Sequence, residues 1–158
     1  MKKIVSLTLI VFVLSCKSKL PNTTNNLPTN KIESTKYTSL DFSKVPTFKI
    51  NKTYELGKRL METCNTSRFK NFNTTEATEN VIKNVNIEKI SKTCQKINSR
   101  NGRFIDLDLI EIVQDNETGN LLFKYNIKYE KKYYQRELKM VLNTDNKIAS
   151  IATKEIIK

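Results

Sequence analysis

NGRFIDLDLIEIVQDNETGNLLFKYNIKY, residues 101–129, holds the change of period on which the fold reading turns. Asn101-Gly102 is a chain breaker. Beyond it, apolar residues recur every second position, as on a half-buried strand. In 121–129 the alternation is clean: Leu121, Phe123, Tyr125, Ile127 and Tyr129 share one face, and Lys124, Asn126 and Lys128 take the other. In 103–114 the alternation runs Ile105, Leu107, Leu109 and then slips to Ile110 and Ile112. A one-residue slip of phase predicts a β-bulge. DNETGN at 115–120 is a turn between the two strands.

Two further strands follow. Residues 133–142 place Tyr134, Leu138, Met140 and Leu142 on one face, interrupted by Arg136. Residues 148–157 carry Ile148, Ile151, Ile156 and Ile157, after a turn at 143–147. Strands joined by such short turns pair antiparallel.

Before residue 101 the period is helical. Leu56, Leu60, Met61 and Cys64 fall on one face of 52–68. Asn73 with Glu76 reads as a capping box, followed by Ala77, Val81, Ile82 and Val85. Asn86 reads as the next cap, ahead of the stripe Ile87, Ile90, Cys94, Ile97. Residues 45–50 read as a short extended lead-in. The expectation is an α+β domain at 42–158, with two or three N-terminal helices packed on a curved four-stranded antiparallel sheet.

The N-terminus reads as an address. Lys2 and Lys3 precede an uncharged run, 4–14, about half the roughly 20 apolar residues that span a bilayer. The run ends in Val13-Leu14-Ser15-Cys16, which resembles the bacterial lipobox. That resemblance implies a signal peptide at 1–15 and acylation of Cys16 by palmitate-like chains, several of which anchor stably where one does not. Residues 17–19 lack the Asp linked with inner-membrane retention and the acidic cluster linked with surface export. The expected location is therefore the periplasmic face of the outer membrane. Residues 16–41, rich in Asn and Thr with Pro21 and Pro28, read as a flexible tether.

The formal net charge is +12, of which Lys2 and Lys3 supply two. Residues 42–100 are strongly basic, whereas 101–158 are almost balanced. Export and the lack of a recognition motif argue against a nucleic-acid partner. A solvated lysine-rich surface and attraction to anionic envelope surfaces both remain open. With Cys16 assigned to lipid, Cys64 and Cys94 are left as an even pair in an oxidising compartment: a disulfide, or two buried thiols serving as small apolar residues.

The absence of His removes His-based acid–base chemistry and most zinc sites, so no metal or cofactor is expected. Asp106, Asp108 and Glu111 are the sole polar cluster, and their alternation with Ile105, Leu107 and Leu109 points them to solvent. Phe123, Tyr125 and Tyr129 are candidates to line a ligand pocket or to form ordinary core. Arg136 is a candidate anion-binding group or an edge-facing residue.

Taken together, the helices, Gly102-Arg103-Phe104, residues 125–130 and the hairpin around 142–151 resemble the nuclear transport factor 2-like α+β roll. Cystatin-like folds share such a sheet, usually with one helix. The resemblance implies a cone with an apolar pocket, and in some members dimerisation through the outer sheet face. The family includes both enzymes and binding modules, and fold alone does not choose between them. The expected role is a non-catalytic binding module for a small molecule or an envelope protein. A structural, envelope-maintenance role of the basic helical half is the alternative. Replacing Cys16 with Ala is expected to abolish palmitate incorporation; unchanged labelling would refute lipidation there.

Overall fold

A computed structural model describes residues 36–156. The expected signal peptide, Cys16, most of the expected tether and Ile157 lie outside the described residues. The described residues belong to one unit, Ser34–Lys158, which holds every described core side chain.

The unit is α+β. Its elements are β1 (Tyr37–Leu40), a 3-10 turn (Phe42–Lys44), α1 (Thr47–Thr66), α2 (Glu79–Asn84), α3 (Ile87–Asn101), β2 (Phe104–Asp115), β3 (Leu121–Tyr129), β4 (Gln135–Leu142) and β5 (Ile148–Ile156). The five strands form one antiparallel sheet in sequence order. Four strands were expected, with the helices leading. The fifth, β1, falls in residues read as tether, so the helices sit mid-chain. Its four residues are largely exposed and carry no apolar alternation; they are strand because β2 offers them a partner edge at 112–115.

The α1 helix starts earlier than its apolar stripe. Residues 47–50 are helical, not extended, because Pro46 supplies the N-cap position and needs no donor there. The buried positions Thr53, Leu56, Gly57, Leu60, Met61 and Thr63 make one stripe against the sheet. At Gly57 a Cβ would lie 2.9 Å from Met140 Sδ and 3.0 Å from Leu138 Cδ2, so only glycine permits this approach of helix to sheet. Alongside, the Thr53 and Tyr125 hydroxyls meet at 2.6 Å. Thr53 Oγ1 also lies 3.0 Å from the carbonyl oxygens of Lys49 and Ile50, so no polar atom of the pair is stranded.

The capping box forms, but the helix expected from it starts later, at Glu79. Asn73 Oδ1 accepts from Glu76 N–H at 3.1 Å, and Glu76 Oε2 accepts from Asn73 N–H at 3.0 Å. The backbone then bonds to the first residue of β5: Ile148 N–H donates to Glu76 O and Thr78 N–H to Ile148 O, both at 2.9 Å. The sheet edge thus holds Ala77 and Thr78 out of the helix and delays α2 to Glu79. Asn86 does cap α3, accepting from Lys89 N–H at 3.0 Å. The helix ends at Gly102, whose φ of 75° favours glycine.

Strand β2 carries two register shifts, not one, at Ile105 and at Ile110. Each bulge turns its isoleucine outward, to 57% and 48% exposure, so these two leave the apolar face assigned to them. Tyr134 also departs from expectation. It precedes β4, is 41% exposed, and stacks on the Arg100 guanidinium at 4.2 Å.

Burial pushes the Tyr125 and Tyr129 hydroxyls up to about 12. Each then holds its proton more tightly folded than unfolded. Their contribution is fully present below about pH 10 and is lost as pH rises toward 12. Urea midpoints are expected to fall over that interval, and Tyr125→Phe with Tyr129→Phe to flatten the fall; an unchanged slope would show the pair does not titrate with folding.

Candidate functional site

The apolar stripe by which α1 lies on the sheet also meets that of α3. Cys64 and Cys94 are joined in a disulfide, with Cα atoms 4.8 Å apart. Beside it, Asn98 Nδ2 donates to Cys64 O at 2.6 Å. Asn65 fixes the end of α1 to the start of β2, donating to Phe104 O at 2.7 Å and accepting from Phe104 N–H at 2.9 Å. These ties hold α3 on α1. Between the two helices and β5 a groove of about 190 Å³ remains. Its wall is the disulfide with Leu60, Met61, Ile90, Ile97 and Ile151. Lys89 is the single charged residue among its lining side chains. Thr153 lies at its β5 side and touches Arg136.

Arg136 is on the helix-facing side of the sheet, opposite Ile127 and Glu155 in register. Its guanidinium sits 3.3 Å from Glu155 and 3.3 Å from Thr153 Oγ1, and its Nε has no hydrogen-bond partner among the described residues. Glu155 is shared: both guanidinium nitrogens of Arg100 reach it at 3.1 Å. Two arginines on one carboxylate leave this end of the sheet with excess positive charge.

The other candidate pocket residues lie elsewhere. Phe123 and Tyr125 are wholly buried among the core side chains. Tyr129 packs edge-on against Phe104 at 6.5 Å, and its buried hydroxyl finds no partner among the described residues. None of Phe123, Tyr125, Tyr129 and Arg136 lines the groove. The apolar groove residues of α1 and α3 read as core from sequence, and Lys89 as pointing away, because a stripe facing a gap and a stripe facing a neighbour have the same period. The signal available was Ile97 and Cys94 together: α3 carries more apolar face than its disulfide partner covers.

The acidic cluster is spent on the sheet. Tyr54 donates its hydroxyl to Asp106 at 2.7 Å, which holds that carboxyl below the usual carboxylate range. A general base needs the opposite shift. Asp108 pairs with Lys128 at 2.6 Å, and Glu111 with Lys124 at 2.5 Å. Among the described residues no three metal-ligating side chains come together, and no helix is long and apolar enough to cross a membrane.

No protein-family model, no curated protein and no solved structure matches this chain.

The disulfide closes a loop with a sequence separation of 30, for which chain entropy contributes about 4 kcal/mol. Cys64→Ser with Cys94→Ser is expected to lower unfolding stability by that order in urea titrations, and a change under about 1 kcal/mol would show that the helix packing alone holds α3.

Proposed function

We propose that this chain is a lipid-anchored lipoprotein of the bacterial envelope, held at the periplasmic face of the outer membrane through Cys16, and that its folded unit is a non-catalytic binding module. The nuclear transport factor 2-like roll is the fold family we assign to it. The order of helices and meander supports that assignment, as do the β2 bulges, which bend a strand and so curve a sheet.

The observation that carries the binding role is the α1–α3–β5 groove: apolar walls, one lysine at the rim, and no carboxylate among the lining side chains. Such a surface takes an apolar body and orients it by charge. It has no pair of ionisable groups with which to move a proton. Its volume is below the roughly 300–1,000 Å³ of drug-sized sites, so the ligand is small or enters only in part. The lysine favours an anionic head.

Octanoate serves as the probe. Titrated into labelled Ser34–Lys158, it is expected to shift the amides of Ile90, Cys94, Ile151 and Thr153 and to bind more tightly than octylamine. Ile151→Trp, which fills the groove, is expected to abolish the shifts. Shifts scattered over the surface, or unaffected by Ile151→Trp, would overturn the groove as the ligand site.

A further inference from the structure

The corner where β3 passes to β4 gathers features that a monomeric soluble surface normally keeps apart. Residues 130–134 read EKKYY. Tyr133 is 85% exposed, more than any other large apolar side chain described. Tyr134 and the outward-turned Ile105 line one hollow of about 310 Å³ together with Lys128, Lys131 and Lys132. The charges there are unequal in availability. Lys128 is held by Asp108. Lys131 reaches Ser99 O at 3.3 Å, a contact that leaves its charge uncompensated. Lys132 has no ion pair among the described residues. Glu130, next in sequence to Lys131, is turned to the backbone and accepts from Arg103 N–H at 3.0 Å.

We propose that this corner is a docking surface for an anionic lipid bilayer. Lysines alone would suit any polyanion. The apolar tip beside them narrows the choice, because a tyrosine ring and an isoleucine gain from leaving water while the lysine stems reach back to the headgroups. An anionic leaflet supplies both environments, with the negative charge at the surface and the apolar layer just beneath it. Single-stranded nucleic acid, the other polyanion that rewards aromatics, stacks successive bases on successive open ring faces. Arg100 already covers one face of Tyr134, which leaves Tyr133 as the fully open ring of this corner. The surface is separate from the groove and depends on neither the groove nor Cys16.

The unit Ser34–Lys158 is mixed with vesicles of phosphatidylcholine alone or with phosphatidylglycerol. Sedimentation with the anionic vesicles only is expected, and high salt should release it. Lys131→Ala and Lys132→Ala should each weaken partitioning about fivefold, and Tyr133→Ser should weaken it further. Lys92→Ala with Lys96→Ala, on the exposed face of α3, should not. The chain has no tryptophan, so Tyr133→Trp reports the tip directly and should shift its emission to the blue on anionic vesicles. Binding lost with the α3 variant but kept with the tip variants would overturn the proposal. So would an unshifted Tyr133→Trp, or capture of oligothymidylate in preference to vesicles. Ile151→Trp should leave vesicle binding intact, which separates this surface from the groove.

Discussion

The fold depends on how closely α1 lies on the sheet. Gly57 removes the one Cβ that would hold the helix off Met140, Leu138 and Leu107. The contact spans β2 and β4, so the helix bridges strands that are not neighbours in the sheet. A larger residue would push the helix outward or force core side chains off their rotamers, at a cost of about 1–3 kcal/mol. The Thr53–Tyr125 pair acts in the same place by other means. It gives the largest fully buried polar side chain of the sheet a partner that only a closely packed helix provides.

The groove follows from that arrangement. The disulfide and Asn98 bind α3 to α1 rather than to the sheet, and Arg100 tethers the far end of α3 to Glu155 on β5. These ties run from the middle of α3 to its C-terminal end, and between α1, α3 and β5 the side chains leave a groove of about 190 Å³. The cross-link stabilises the unit and forms part of the groove's apolar wall. The outer sheet face is built differently. Its pairs Asp108–Lys128, Glu111–Lys124 and Glu137–Lys139 make a ladder of opposite charges, a face satisfied within its own chain.

Much of the fold could be read from residue spacing, and the exceptions share a cause. The strands β2 to β5, α3 with its Asn86 cap, and the one-residue slip near Ile110 all follow from side chains that face a core or cap a helix. Strand β1 and the bridge at Ala77 do not, because backbone hydrogen bonds to a distant edge create them. Local sequence carries little of that information. The same holds for Ile105, whose apolar side chain gives no hint that a bulge will turn it to solvent. Of the candidate site, both cysteines were visible as a pair. The groove was not, since burial against a neighbour and exposure to a cavity produce the same pattern on a helix.

Asp106 shows how far local chemistry can be argued once partners are known. Alternation alone puts it toward solvent, and an aspartate there is free to take any role. The fold brings Tyr54 from α1 to its oxygen, with Lys58 close to the tyrosine ring at 5.6 Å. The donated hydrogen bond, followed by the Leu107 backbone N–H and then the nearby lysines, favours the charged carboxylate, while the same bond makes the Tyr54 hydroxyl harder to ionise. Both shifts oppose proton transfer near neutrality, since neither group is moved toward pH 7. What the pair does provide is a fastening of α1 to β2 beyond the reach of β1, which covers only 112–115. Asp106 is thus best understood as edge chemistry: it ties α1 to the stretch of β2 whose backbone is paired with β3 alone, while Asp108 and Glu111 tie β2 to the lysines of β3.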